Sequence, residues 1–295
     1  MSISKQASKL SLPQQNPGLR SVLQYLLIKF PNISESVWRQ RMQQGKVHWH
    51  DGRLIHPDTA YQAQQRVYYY RETACEPCIP FAEDILFQDE QLLLAYKPHF
   101  LPVTPGGIYI NECLQNRLRD KTGITSLQAL HRLDRATAGL VLFSAQASTR
   151  HLYHQLFANR QIQKTYQAIA SIDDDRALIG QHWTVKNCIQ RSNPGFLMRI
   201  SDGKHNSHSI IKCIKQANNK ALFELSPITG KTHQLRLHMQ SIGMPILNDQ
   251  YYPVLQEKKP DDYSAPLQLL AKSLRFTDPI NQQQRNFSYT ESLSL

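Results

Sequence analysis

Leu19, Val22, Leu23, Leu26, Leu27 and Phe30 recur at helical spacing, so residues 18–30 are expected to form an amphipathic helix. Asn32-Ile33-Ser34-Glu35 has the form of a capping box opening a second helix, with Val37, Trp38 and Met42 on its buried side and Gly45 as its stop. The period then falls to two. Val47-His48-Trp49-His50, the pair Asp51-Gly52 and Arg53-Leu54-Ile55 predict a hairpin, and Val67 to Tyr70 a further strand. Arg71 to Pro80, with two prolines, reads as a linker.

Beyond it, the apolar patches Ile85-Leu86-Phe87 and Leu92-Leu93-Leu94 flank four polar residues and predict a hairpin. Residues 97–107 carry three prolines and two glycines, which excludes regular structure, and a short helix is expected over 113–121. His131-Arg132-Leu133-Asp134-Arg135-Ala136-Thr137-Ala138-Gly139 is a polar knot that holds one carboxylate between two arginines. The strand formers Leu140 to Phe143 follow at once. This pattern fits a loop pinned to the edge of a buried strand, where a scaffold can hold a reactive group rigidly. An ordinary ion-paired loop fits the local composition as well. Ser148 is placed to cap a helix with Leu152, Leu156 and Phe157 as its inner stripe.

Residues 161–170, as a strand, put Ile162, Lys164, Tyr166 and Ala168 on one face. A lysine and a tyrosine facing inward call for a polar cavity, although an edge strand with a solvated lysine has the same pattern. Residues 172–220 suggest several strands, with a turn at Gly203-Lys204, and Leu222 to Leu225 another strand. Gly230-Lys231-Thr232 is not a phosphate-binding P-loop, because that motif needs a glycine at 225, where leucine stands. A helix with Leu235, Met239 and Ile242 buried and Gly243 as its stop is better supported. It sets Arg236 one step round from the apolar stripe, within reach of a carboxylate.

Composition narrows the partner. Over 295 residues, Lys+Arg 34 against Asp+Glu 23 give a formal net charge of +11, which favours a polyanion such as RNA. The first 16 residues are polar, and no apolar run is long enough to span a bilayer, so cytoplasm without membrane association is expected. Five scattered cysteines fit a reducing compartment, and Cys75 and Cys78 make only half of a zinc-site spacing. The expected organisation is a polar tail over 1–16, a small module over 17–72, a linker over 73–80 and a main domain over 81–295. A monomer is the plain default.

The motifs together resemble the RluA-type family of RNA pseudouridine synthases over roughly residues 81–279. HRLDRATAG at 131–139 is close to the family's HRLD-x-x-T-S-G, and Lys164-Thr165-Tyr166 matches K-x-Y. Thr229 to His238 and Ile242 to Ile246 match T-G-R-T-H-Q-I-R-x-H and I-G-x-P-I. Tyr96-Lys97-Pro98 and Leu269 to Pro279 fit the flanking patterns, while Tyr96, Ala138, Lys231 and Leu270 depart from usual family residues. The helix–helix–strand order of residues 17–72 resembles the S4-like domain often attached to RNA-modifying enzymes, with Arg39 and Lys46 on its RNA-facing side.

The resemblance implies an α+β fold built on a mixed central sheet, no metal, organic or nucleotide cofactor, and isomerisation of uridine to pseudouridine in rRNA, tRNA or both. It also implies Asp134 as the catalytic carboxylate, Arg236 as its ion-pair partner, and Tyr166 as a base-stacking ring and final proton acceptor. Arg132 would push into the RNA where the uridine leaves, with His131, Arg135 and Lys164 beside it. A catalytically silent RNA-binding or ribosome-assembly factor on the same fold is the alternative. A metal-dependent RNA hydrolase lacks the carboxylate cluster its chemistry requires.

Overall fold

Apolar periodicity builds the cores of two units in the computed structural model, which describes residues 2–172 and 177–295. One unit runs to Pro77 and takes in Gly106–Asn111; the other holds Cys78–Pro105 and Glu112–Leu295.

In the first unit, β1 (Ser2–Ile3) lies in the polar stretch that begins the chain, as does β2 (Ser8–Ser11). Helix α1 (Val22–Lys29) starts later than the apolar spacing suggested, because the Ser21 hydroxyl accepts from Gln24 N at 3.3 Å and caps it there. Helix α2 (Glu35–Gln43) is capped in the same way by Ser34. The hairpin follows as β3 (Val47–Trp49), with Trp49 N donating to the Arg53 carbonyl across the Asp51-Gly52 turn at 2.8 Å. Strand β4 (Arg66–Tyr69) completes a three-stranded sheet in the order β2-β4-β3, and β5 (Glu72–Thr73) pairs with β1. Val22, Leu26, Trp38, Met42, Val47, Trp49 and Val67 fill the core between helices and sheet.

In the second unit, strands β6 (Asp84–Gln88) and β7 (Leu92–Lys97) form the expected hairpin, and α3 (Leu114–Thr122) follows the proline-rich loop. Then come β8 (Gln128–Ala129), β9 (Ala138–Ser144), α4 (Arg150–Ala158) and β10 (Gln163–Ser171). The stretch over 172–220 supplies β11 (His182–Arg191), β12 (Met198–Ser201) and β13 (Ser207–Ala217), with residues 173–176 outside the described ones. Strand β14 (Lys220–Pro227), helix α5 (Gln234–Ser241), β15 (Leu269–Thr277) and β16 (Gln284–Ser288) finish the unit. Among the described residues eleven strands make one sheet, whose main path runs β12-β11-β13-β14-β10-β15-β9-β7-β6, with β16 on β15 and β8 on β9.

Most pairings are antiparallel, but β9 and β15 are parallel, so the sheet is mixed and the α+β expectation holds. The parallel contact is short, Ala138 opposite Leu270 and Gly139 opposite Ala271. Gly139 has φ +116°, and a Cβ there would stand 2.3 Å from the Ala271 carbonyl oxygen. Only glycine allows β15 to come so close just where the polar knot enters the sheet.

Two helices differ from the sequence pattern. Helix α4 buries Tyr153 and Leu156, while Leu152 is only half-buried; the Tyr153 ring turns inward because its hydroxyl donates to buried Asp278 at 3.1 Å. Helix α5 is buried on all sides from Gln234 to Met239, so no solvent face separates Arg236 from the apolar residues. Among the described residues no helix is long and apolar enough to cross a membrane.

Candidate active site

The loop between β8 and β9 carries Asp134, and a turn closed by Thr137 N donating to the Asp134 carbonyl at 3.0 Å sets its position. It borders a cleft of about 710 Å³ lined also by Arg132, Lys164, Tyr166, His233 and Arg236. That volume suits a nucleotide-sized ligand.

Lys97 supports the loop from beneath. Its side chain is fully buried at the end of β7, and Nζ donates to the carbonyls of Pro98, Leu101 and Arg135 at 2.9, 2.7 and 3.1 Å. Those acceptors use every proton of an ammonium, which holds the backbone next to Asp134 in one place. Burial lowers the Lys97 pKa well below the ordinary lysine value, and the Asp134 charge opposes that shift.

Arg236, on α5, brings a cation to the carboxylate: Nη1 lies 3.5 Å from Asp134 Oδ2. Its stronger bonds go elsewhere. Nε and Nη2 grip Asp249 at 2.7 and 2.5 Å, and both side chains are no more than 3% exposed. Asp249 also accepts from Tyr251 N and Tyr252 N, and the guanidinium carbon lies 4.7 Å from the Tyr251 ring centroid and 5.2 Å from that of Tyr252. Burial works against the arginine's charge, but the hydrogen bonds and charge of Asp249 outweigh it and raise its pKa. The forked grip leaves one guanidinium edge for Asp134, whose side chain is 32% exposed toward the cleft.

At Thr165/Tyr166 the pairing with β15 shifts by one residue, skipping Lys272 of β15, and both Lys164 and Tyr166 line the cleft as the alternation anticipated. Burial, reinforced by the Asp134 charge, raises the phenol's pKa well above its ordinary value, so the hydroxyl stays protonated. Lys164 reaches to 3.6 Å from where a Cβ on Gly230 would stand, and burial lowers its pKa. Gln234 organises the facing loop, accepting from Thr229 Oγ1 and Lys231 N and donating to the His208 carbonyl and Ser209 Oγ.

The expected RNA-facing side chains divide. Arg132 is exposed at the rim of the cleft, and Arg39 is exposed on α2 with a surface pair to Glu35. His131 is engaged inside: Nε2 accepts from Leu142 N at 3.1 Å and the ring stacks on Phe157. Burial, then the Lys164 charge, push its imidazole down to about 3, so it is neutral. Arg135 forks onto Asp261 at 2.6 and 2.7 Å, which ties the loop to the 253–266 segment. Lys46 pairs with Glu72, which also receives Arg41. For these three, an internal partner replaces the free cation or ring that the sequence pattern suggested.

Asp249, His233 and Lys97 went unsingled by sequence reasoning. The signal for Asp249 was indirect: a buried arginine needs a carboxylate, and Asp249 lies 13 residues on. Two departures from family residues are accommodated locally. Ala138 is fully buried against β15, where a serine hydroxyl is not required, and Tyr96 stacks on Tyr289 at 4.3 Å. Cys75 and Cys78 are exposed free thiols, and among the described residues no three His, Cys, Asp or Glu side chains gather as a metal cage.

The chain matches the family model for RNA pseudouridylate synthase over residues 91–241. It is 33% identical over 210 residues to the dual-specificity RNA pseudouridine synthase RluA of Haemophilus influenzae, covering 70% of this chain and 91% of that one. To the ribosomal large subunit pseudouridine synthase C of the same organism it is 27% identical over 301 residues, covering 97% and 92%. The solved human RNA pseudouridylate synthase domain containing 1 shares the fold, with a TM-score of 0.58 at 20% identity over 74% of this chain and 86% of that one. The buried ion pair beside a half-exposed carboxylate thus sits in a chain that belongs to the RluA-type RNA pseudouridine synthase family, isomerases that act on RNA.

Proposed function

We propose that this chain converts specific uridines to pseudouridine in ribosomal RNA, transfer RNA or both, with Asp134 as the catalytic carboxylate. One observation carries the reading: Asp134 borders a nucleotide-sized cleft with Arg236 3.5 Å away and Tyr166 in the same lining. The names of the relatives support ribosomal RNA as a substrate.

The reaction detaches uracil from its sugar, turns it and rejoins it through carbon. A target uridine has to leave the helix stack to reach the cleft, at a cost of a few kcal/mol. Arg132, exposed at the rim, is suited to fill the gap left in the RNA, and Lys164 offers a positive charge beside the flipped nucleotide. Arg236, with Nη1 3.5 Å from Oδ2, orients Asp134, as a carboxylate that attacks or takes a proton must be held. Tyr166 offers a stacking face, which needs no ionisation; its raised pKa makes it a proton acceptor only if it first gives up its own proton. A silent RNA-binding factor would have no chemical use for this arrangement.

The N-terminal unit serves as an S4-like RNA-binding module, with exposed Arg39 on α2 among its contacts. The test compares cells lacking the endogenous copy that express either the protein or its Asp134→Asn variant, with pseudouridine mapped across rRNA and tRNA. At least one uridine is expected to depend on the wild-type protein and to stay unmodified with the variant. Full restoration by Asp134→Asn, or no dependent site, defeats the reading. Deleting residues 1–72 is expected to weaken RNA binding or site choice while chemistry on a minimal substrate survives.

A further inference from the structure

Helix α5 begins at His233, whose backbone sits in the left-handed region at φ +55° and ψ +16°. For a residue with a side chain that conformation costs about 1–2 kcal/mol. Here it accompanies an imidazole that lines the cleft, with Nε2 3.8 Å from Asp134 Oδ2. Strain of this kind concentrates where a side chain is needed in one place.

The ring's tautomer follows from its other contact. Nδ1 lies 2.8 Å from the Tyr252 hydroxyl, which has a single hydrogen and two further neighbours. Met198 N donates to that hydroxyl at 2.9 Å, and the Met198 carbonyl lies 3.0 Å from it. If the phenolic hydrogen went to Nδ1, the carbonyl would face an oxygen with no proton between them. Given to the carbonyl, it leaves the phenol oxygen free to accept from both Met198 N and His233 Nδ1, and all three contacts are satisfied. His233 therefore carries its proton on Nδ1 and presents a bare Nε2 lone pair to the cleft. Burial keeps the ring neutral, although the Asp134 charge pulls the other way.

Nε2 and the Asp134 carboxylate are thus two acceptors side by side, an arrangement that favours a donor bound to both. A uridine inside an RNA chain has its 3′ and 5′ oxygens esterified. Its remaining donors are the ribose 2′-hydroxyl and the N3–H of uracil. N3 lies across the ring from C6 and away from the glycosidic bond. Whether Asp134 works at C1′, C2′ or C6, the donor that arrives beside it is the 2′-hydroxyl.

We propose that His233 is a further substrate-contacting residue, whose Nε2 accepts a hydrogen bond from the 2′-hydroxyl of the target nucleotide and so selects a ribose at that position. The proposal rests on Asp134 being the reacting carboxylate, and the test keeps the two apart. The probes are a synthetic RNA stem-loop carrying the uridine mapped in cells, and the same oligonucleotide with 2′-deoxyuridine at that position alone. Single-turnover kcat/KM and Kd are measured on both for the wild type, His233→Asn and His233→Gln. Asparagine tolerates the left-handed backbone but ends short of the cleft; glutamine returns an acceptor.

In the wild type the deoxy substitution is expected to lower kcat/KM about tenfold, or about 1.4 kcal/mol. In His233→Asn the ribose substrate is expected to lose a similar factor and the deoxy penalty to shrink below about threefold. His233→Gln is expected to keep more of the discrimination than His233→Asn, which a purely structural role does not predict. An undiminished penalty in His233→Asn, or none in the wild type, overturns the proposal. If Asp134→Asn still converts the uridine, the reading of Asp134 falls while the two-substrate comparison continues to report on His233. If no uridine depends on the protein, both fall together.

Discussion

Asp249→Ala isolates the anchor of the site. The substitution removes both strong bonds of Arg236, at 2.7 and 2.5 Å, and also the acceptor for Tyr251 N and Tyr252 N. The guanidinium stays 3% exposed, and Asp134 at 3.5 Å is then the nearest carboxylate in the site. Removing one partner of a buried pair leaves an uncompensated charge and costs about 3–5 kcal/mol. With a urea m-value of about 3 kcal/mol/M, the unfolding midpoint is expected to fall by about 1–1.7 M. Circular dichroism reads the midpoint, and single-turnover conversion of the mapped stem-loop reads the rate, which is expected to drop because Arg236 no longer has a fixed place. The double variant Arg236→Met/Asp249→Leu separates the two effects. An apolar pair of similar volume removes the uncompensated charge, so that part of the stability is expected to return, while Tyr251 N and Tyr252 N still lack their acceptor and activity stays low. A midpoint shift under about 0.3 M for Asp249→Ala, roughly 1 kcal/mol, would refute the anchoring role. An active double variant would refute the need for Arg236 beside Asp134.

Further expectations concern the frame around the carboxylate. Gly139→Ala puts a methyl group 2.3 Å from the Ala271 carbonyl at a φ of +116°, so the loss should be about 3 kcal/mol or more, measured by thermal unfolding; an unchanged Tm contradicts the close approach. Lys97→Met strips three carbonyls of their donor and is expected to cost about 2–4 kcal/mol and to slow the reaction through the Arg135 backbone, which unfolding and single-turnover rates would reveal. His131, with a folded pKa of about 3 against an ordinary 6.5, binds a proton more readily unfolded than folded. Its contribution is therefore complete above pH 6.5 and lost as pH falls from there toward about 3, by at most about 1.4 kcal/mol per pH unit. A pH series of urea midpoints is expected to be shallower over that window for His131→Gln, and an identical slope excludes the imidazole as the source.

Local chemistry made much of this architecture legible. The helix caps at Ser21 and Ser34, the Asp51-Gly52 turn and the hairpin of β6 and β7 are each decided by a few neighbouring residues. The two-residue alternation along β10 also carried Lys164 and Tyr166 into one cleft, because the register shift there is taken up by Lys272 on β15. Where a distant group decides orientation, the pattern misled. Tyr153 turns inward to reach Asp278, 125 residues away, although helical spacing favoured Leu152.

Charge follows the same division. The ordered motifs from 131 to 246 pointed to the family and singled out Asp134, Tyr166 and Arg236 as candidates, because spacing and residue type survive without coordinates. The surplus of +11 charges pointed to a polyanion. Neither could say which charges are free. Only the tertiary structure engaged Arg135 with Asp261 and Lys46 with Glu72, stacked His131 on Phe157, and supplied Asp249 and the contact of His233 with the Tyr252 hydroxyl. The physical reason is that a cap or an alternation acts within a few residues, whereas ion pairing and burial depend on whichever side chain the folded sheet brings within about 4 Å.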